Sequence, residues 1–498
     1  MNSFPDNTLT YRRLYAIAQK SHFKKLHAIK VGIVVPPSCF VVPNGWEFVH
    51  KSPFEGPSVI AAVLKGLGVD VILFDQRENV DPNVLAGGTL SELDIVMVAT
   101  YEDSFPYIQR AIEIAKEEEH KRPVVIGGPL VTSVPKLIMD ATLADYAVIG
   151  EGELTLIELC DYFLKKKKSL RIHEILGIAW KDMSGRTIVN PRRPQMYNLD
   201  AVPLQDFSVW PHVKKTGVVP EIYMTSSRGC MGRCSFCFKA MPLLRYKSPA
   251  RVRRELLYLK EYKYRFAWWS DLTFIGSKKR VQSLMAGAFK GVDFRWSCFT
   301  RVDGLELNVL KLMKECGCDI VMYGFESITK EILDYFRKKV SRNQIIRAIQ
   351  LTRKAGLKVG GLFIIGGPGE TRESLKRTVD FCKEFKEITR VKYLSAIPGT
   401  YIYYDAVKRG IIRDELEHLY FLARERSTEE DEILNFTSLP EKELRKAYHE
   451  INRRIELRPY EYWNPVNRYL IKPKEFRNPS REHVRLSGAG RHKIGLMR

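Results

Sequence analysis

Short apolar runs recur along the first third of the chain, each closed by a turn-forming or polar residue. Lys30–Val35 runs into Pro36–Pro37, Val69–Phe74 into Asp75, and Asp94–Ala99 into Thr100. Pro123–Ile126 runs into Gly127-Gly128-Pro129, and Tyr146–Ile149 into Gly150-Glu151-Gly152-Glu153. Helix-period stretches separate them at Gly56–Leu67, at Ser104–Glu119 and from Glu153 to about Leu164. Strand-like runs alternating with helical ones predict an open parallel sheet. Ligands of such sheets sit beyond the carboxyl ends of the strands. Pro36, Thr100, Tyr101, Gly127, Gly128, Pro129, Gly150, Glu151 and Gly152 collect at those ends and are candidate ligand contacts. Taken singly, each glycine is equally an ordinary turn residue. No G-x-G-x-x-G follows the first run, which argues against a dinucleotide site.

The pattern then changes. Leu170–Pro211 is rich in Pro and Arg, with a hairpin-like Ile178–Asn190 around Ser184-Gly185, and reads as a linker. Beyond it six strand-like segments alternate with helical ones: Glu221–Thr225, Arg265–Ser270, Phe294–Thr300, Asp319–Gly324, Val359–Ile365 and Val391–Ile397. Leu305–Cys316 and Asn343–Ala355 are among the intervening helices, and Leu416–Arg426 and Leu439–Leu457 follow. Repeated βα units predict a partial barrel with its working residues at strand carboxyl ends. The chain therefore divides into an extension (1–29), a first α/β domain (30–169), a linker with a hairpin (170–215), a barrel domain (216–412) and a helical, basic C-terminal region (413–498).

Composition narrows the partners. Of 498 residues, 80 are Lys or Arg and 58 Asp or Glu, a net charge of +22. That balance predicts an acidic partner or a phosphate-bearing ligand. No apolar run approaches the ~18 residues of a membrane span, and the first residues lack the apolar core of a signal peptide. Nine cysteines in this length form no disulfide framework, so a reducing cytoplasm is the expected compartment.

Three of the cysteines carry the chemistry. Cys230, Cys234 and Cys237 form C-x3-C-x2-C on the loop after the Glu221–Thr225 run. Thiolates bind iron–sulfur clusters, and four are usual for a saturated [4Fe–4S] centre, so three leave one iron open. Zinc would want a fourth Cys or His, and the nearest histidines are His212 and His418. Arg228 and Arg233 are candidates to offset the cluster's charge. Cys39, Cys160, Cys298 and Cys382 read as buried thiols, and Cys316-Gly317-Cys318 as a weak second metal motif.

The triad, with Phe236 just before its third cysteine and six ordered strands behind it, resembles the radical S-adenosylmethionine (SAM) superfamily over about Glu221–Gly410. The first domain resembles the cobalamin-binding domain that precedes some radical SAM domains. The D-x-H-x-x-G element of cobalamin mutases is absent, since Asp75-Gln76-Arg77 stands at that place. The resemblance thus implies cobalamin bound with no histidine on its lower face; the bland alternative is a degenerate domain that binds nothing. It implies that Cys230, Cys234 and Cys237 hold a [4Fe–4S] cluster. It further implies that Phe236, Ser270, Asp271, Arg301, Glu326, Gly366 and Ile397 contact SAM, and that a low-potential electron donor is needed. An ion pair between Glu326 and Arg301 is the structural alternative for those two.

By resemblance the activity is a cobalamin-dependent radical SAM methyl transfer to an unactivated carbon. One SAM supplies the methyl group, and a second is cleaved reductively to begin hydrogen removal. The basic balance points to an acidic peptide or protein; separately, the resemblance implies a glutamine Cα of methyl-coenzyme M reductase as one target. Ring closure, or lipid or tetrapyrrole modification, is the alternative within the same cofactor set. An electron-transfer or RNA-binding iron–sulfur protein is the alternative from another class. Residues 468–498 hold nine Lys or Arg and two Glu among Tyr469 and Phe476. Such a stretch suits RNA or an acidic polypeptide. Methylthiotransferases acting on tRNA carry a further N-terminal cysteine triad, whereas only Cys39 and Cys160 precede Cys230 here, so nucleic acid is disfavoured.

Overall fold

The first sheet is built on β1 (Lys30–Val35), whose Val31–Val35 are all buried, as expected of a parallel strand covered on both faces. It pairs with β2 (Asp70–Asp75) on one side and β3 (Ile95–Ala99) on the other. β4 (Val124–Gly127) and β5 (Tyr146–Val148) continue the parallel order 2-1-3-4-5. The chain reverses direction across the sheet between β1 and β3, and a ligand crevice opens at such a switch point. Helices Glu55–Gly66, Phe105–Glu118 and Gly152–Phe163 cover the faces. The computed structural model describes residues 8–18, 29–37, 52–77, 90–118, 121–164, 169–211, 213, 221–427 and 433–456.

The segment read as a linker does more than connect. Its hairpin, β6 (Ile178–Lys181) and β7 (Thr187–Val189), adds antiparallel to β5, with Tyr146 opposite Trp180. An unpaired β5 edge would leave a row of unsatisfied backbone groups, and the hairpin closes it. Asn190 fixes the hairpin's end by donating to the carbonyls of Ile172 and Ile175 at 2.8 Å each.

The second sheet is wholly parallel. β8 (Glu221–Met224), β11 (Phe266–Trp269), β12 (Arg295–Thr300), β13 (Cys318–Glu326), β14 (Lys358–Ile365) and β15 (Ile388–Tyr393) lie side by side in chain order. Two short strands, β9 (Ser227–Arg228) and β10 (Arg245–Tyr246), pair apart from it around the cysteine loop. β8 and β15 remain unpaired with each other, so the sheet is a curled half-barrel. Odd and even positions divide its faces. Trp269 of β11 and Trp296 of β12 pack in one buried cluster with Phe274 and Phe289 from the segment between them, the Phe289 and Trp296 rings 4.6 Å apart.

The C-terminal helices fasten this arrangement. Helix Glu441–Glu456 covers the β15 edge, stacking Tyr448 on Tyr393 at 4.6 Å. Helix Glu415–Ser427 reaches the first domain, where Leu419 is buried and Tyr420 meets the Phe105 ring at 5.3 Å. Contacts divide the chain after Arg458, and all described residues lie in the first unit. The basic stretch 468–498 and Cys39 lie outside the described residues.

Candidate active site

β8 ends at Met224 and delivers the chain into the cysteine loop. The loop starts where Asp271, buried after β11, accepts from Ser226 N at 3.0 Å, from Ser226 Oγ and from Ser227 Oγ. Gly229 then turns in the left-handed region (φ 86°), where a Cβ would fall 2.1 Å from the Leu243 carbonyl oxygen. Only glycine fits there. The loop's far end is clamped by backbone: Ser235 N donates to Phe336 O at 2.9 Å, and Ile402 N to Ser235 O at 3.1 Å.

These clamps gather the three thiols. Gly232 N lies 3.3 Å from Cys230 Sγ, and a Cβ on Gly232 would be 3.5 Å from Cys230 Sγ and 3.6 Å from Cys234 Sγ. Burial, with Cys234 and Cys230 close by, pushes the Cys237 thiol up to about 11. No three His, Cys, Asp or Glu side chains among the described residues converge on a single-ion site. Three thiols on one glycine-containing loop suit a [4Fe–4S] cluster with one iron left open. Cys230, Cys234 and Cys237 would hold it. Cys160, Cys298 and Cys382 are buried thiols as expected, and Cys318 is buried beside Cys298.

The residues expected at SAM divide into groups. Phe236 packs edge-on to Phe336 at 5.2 Å, against the apolar cluster that includes Leu394 and Ala396, just before Ile397. Gly366 follows β14 with φ 82° and donates to Glu370 at 3.2 Å. Ser270 donates to the Met224 carbonyl, so it ties β11 to β8. Asp271 has its carboxylate taken up by Ser226 and Ser227; its structural work is to shape the cysteine loop. Burial raises its pKa, against the opposing pull of Arg280.

Arg301 and Glu326 are not paired with each other. Arg301 lies with Nη1 3.6 Å from Cys234 Sγ, donates through Nη2 to Lys338 O at 2.8 Å and holds Asp303 at 2.9 Å. Glu326 pairs with Lys338 Nζ at 2.9 Å, and its own backbone is in the left-handed region (φ 64°) where β13 shifts register against β14. A non-glycine residue held there marks a site whose surroundings over-determine it. Lys338 was invisible to sequence reasoning because its partner lies on another element.

At the first sheet, Thr100 and Pro36 flank the switch point. Thr100 N donates to Gly127 O at 2.8 Å, and Gly128 (φ 133°) lies so close that a Cβ would be 2.5 Å from Thr100 O. Pro129 opens the next helix, Gly150 N donates to Thr132 Oγ1 at 3.0 Å, and Gly152 opens helix Gly152–Phe163. Tyr101 stands beside Phe54 at 5.3 Å, its hydroxyl pKa raised by burial. The small, turn-rich edge fits cobalamin. Arg77 occupies the place of the mutase histidine and is fully engaged. It forms a bidentate pair with Asp75 (2.7 Å twice), donates to Ser52 O at 2.9 Å and lies over Phe54 at 4.2 Å.

The Glu151 carboxylate is engaged within the protein: it accepts from Arg228 Nη1 at 2.9 Å, from Arg245 Nη1 at 2.9 Å and from Met196 N at 2.7 Å. Arg228 in turn donates to Glu153 at 2.7 Å, so its charge answers these carboxylates before any cluster. Burial alone would raise Glu151, but Arg228 and Arg245 hold it below the usual range. The clamp joins the strand ends of the first sheet to the cysteine loop. Thr225 Oγ1 adds a bond to Glu55 at 2.7 Å. Gly399, after β15, fits between Ser133 of the first domain and Phe238 beside Cys237, at 2.8 and 3.0 Å from where its Cβ would be. The strand-end turns of the first sheet thus contact the cysteine loop directly.

Comparison with known proteins agrees. Residues 224–382 match the Radical SAM superfamily, and residues 55–160 the B12 binding domain. An uncharacterised methyltransferase of Pyrococcus horikoshii is 33% identical over 327 residues, 64% of this chain and 70% of that protein. The structure of the radical SAM methyltransferase TsrM from Kitasatospora setae, with cobalamin and a [4Fe–4S] cluster, superposes with a TM-score of 0.63 at 17% identity, covering 77% of this chain and 76% of that one. That of the cobalamin-dependent SAM radical enzyme OxsB gives 0.62 at 17% identity, over 83% of this chain; the match spans 62% of the OxsB length. The chain belongs to the cobalamin-dependent radical SAM methyltransferases.

Proposed function

We propose that this protein methylates an unactivated carbon, using a [4Fe–4S] cluster, SAM and cobalamin. The observation that supports it most is the clamp of Glu151 and Glu153 on Arg228 and Arg245, which holds the cobalamin edge against the cluster loop. When bound, the cluster and SAM supply the means of removing a hydrogen atom, and cobalamin carries the methyl group. The chain's own part is positional. Cys230, Cys234 and Cys237 would hold the cluster. Arg301 and Glu326, at the carboxyl ends of β12 and β13, and the Phe236–Ile397 region would seat SAM. The edge from Pro36 to Gly150 would seat cobalamin. Burial of both edges against each other excludes water from a reaction that water would quench.

The proposal extends to an acidic peptide or protein as the bearer of that carbon, of which a glutamine Cα in methyl-coenzyme M reductase is one instance. The net charge of +22 supports an anionic partner. Among the described residues no helix is long and apolar enough to cross a membrane, and a reducing cytoplasm suits the open thiols. The test uses anaerobically reconstituted protein with cobalamin, SAM and an acidic peptide library. Release of 5′-deoxyadenosine together with SAM-derived methyl groups on carbon supports the reading; 5′-deoxyadenosine without methylated product overturns it. Removing 468–498 separates recruitment from structure. Loss of peptide methylation with SAM cleavage intact supports an acidic polypeptide, and equal methylation without the segment argues against it.

A further inference from the structure

Three exposed cations stand around the cysteine loop without an acidic partner among the described residues: Arg233, next to Cys234, and Arg337 and Lys339, one element away. The route from them to the thiols is short. Arg301 spans it, with Nη1 3.6 Å from Cys234 Sγ and Nη2 2.8 Å from Lys338 O, while Phe336 O accepts from Ser235 N at 2.9 Å. Lys338 is drawn inward by Glu326, and its neighbours on both sides are turned outward. Arg337 and Lys339 carry left-handed backbones (φ 51° and 53°), which non-glycine residues adopt only when surrounding structure compels it. Arg337 is steadied over the Tyr401 ring at 4.0 Å. The acids met along the same contacts are already engaged. Asp303 holds Arg301, Asp334 pairs with Lys330, and Asp405 accepts from Tyr335 at 2.7 Å. Met231, 63% exposed, projects beside Arg233 on the same loop. A solvent-exposed methionine on the same loop as an exposed arginine has the make-up of a small interface.

We propose that Met231, Arg233, Arg337 and Lys339 form the docking surface for a small acidic electron-carrier protein. The proposal rests on the cluster reading above. In the step it serves, one electron leaves the reduced carrier, which is oxidised, and reduces the [4Fe–4S] cluster from its 2+ to its 1+ state; no bond is made or broken. An acidic carrier is favoured over an acidic substrate because these cations are tied to the cluster loop itself. Opposite charge across such a face raises the association rate and makes it salt-sensitive.

The experiment follows the visible absorbance of the reconstituted cluster in stopped flow. The probe is a chemically reduced, acidic flavodoxin, and dithionite is the small-molecule control. Arg337→Glu/Lys339→Glu should slow flavodoxin-driven reduction at least tenfold and leave dithionite-driven reduction unchanged. For the unaltered protein, the flavodoxin rate should fall steeply between 50 and 300 mM salt, about the range over which screening tightens. The salt arm needs no variant, and Arg337→Gln/Lys339→Gln provides a second one should charge reversal hinder folding. A flavodoxin rate that ignores both the substitutions and salt, while dithionite still bleaches the cluster, overturns the proposal. Loss of acidic-peptide binding with an unchanged flavodoxin rate also overturns it and assigns the face to substrate. Failure of dithionite to bleach any absorbance in the unaltered protein overturns the cluster reading, and the docking proposal with it.

Discussion

Arg228 Nη1 lies 2.9 Å from Glu151 Oε1, joining the residue two places before the first cluster cysteine to the turn that ends β5 of the first sheet. Both side chains are largely buried, and Arg228 bridges onward to Glu153. A buried ion pair of this kind adds little net stability over a hydrophobic one, but it is costly to break and specific in geometry. Here it fixes where one candidate cofactor edge stands relative to the other.

Arg228→Met leaves Glu151 and Glu153 short of a shared cation inside the fold. Removing one partner of a buried pair costs about 3–5 kcal/mol. Denaturant unfolding of the variant should show a loss of that order, together with reduced cobalamin retention on gel filtration. An unchanged midpoint would show that Arg245 alone suffices.

Replacing Cys230, Cys234 and Cys237 by Ala should remove about four irons per chain, together with the visible absorption of a [4Fe–4S] centre. The far-ultraviolet circular dichroism should stay intact, because the loop is also held by Asp271 and by the Ser235–Phe336 backbone bond. Iron that persists in the triple variant places the cluster elsewhere.

Arg77 is consumed by Asp75, Ser52 and the Phe54 ring, so it offers nothing to cobalt. Electron paramagnetic resonance of the Co(II) cobalamin form, with 15N-labelled protein against unlabelled, should give identical axial hyperfine patterns. A splitting that changes with the protein's isotope would identify a protein nitrogen ligand and sink the prediction.

Glu221, at the start of β8, carries a pKa pushed up by burial to about 7, with Trp268 Nε1 donating to it at 3.1 Å. Its folded pKa is above its unfolded value, so the folded state retains a proton that the unfolded state loses. Stability from this residue therefore declines as pH rises from about 4.5 to about 7, and the penalty is complete above that. Glu221→Gln keeps a hydrogen bond to Trp268 and removes the titration. At pH 8 the variant should be more stable by up to roughly 3 kcal/mol, with little difference at pH 4.5. Equal pH slopes for the two proteins would refute the assignment.

Much of the architecture was legible in the chain because its signals are local. β1 and the barrel strands are buried runs bounded by turn residues, so their periods and ends announce them. Cys230, Cys234 and Cys237 stand on one short loop, and spacing alone brings their thiols into one neighbourhood. Arg77 in place of histidine is likewise a fact of sequence.

Tertiary structure alone decided the pairings between distant elements. Glu151 and Arg228 are far apart in the chain, and both suited other roles: one a ligand contact, the other a counter-charge to the cluster. Packing of the first domain on the barrel buried both, and a buried charge must find its opposite. The same rule gave Glu326, where β13 shifts register, to Lys338 beyond the helix Lys330–Tyr335 and not to Arg301. The hairpin Ile178–Asn190 was recognisable as a hairpin, but only the open edge of β5 determined what it would pair with. Strand and loop identity are set by neighbours in sequence; partners of buried charges and sheet edges are set by which surfaces the fold removes from water.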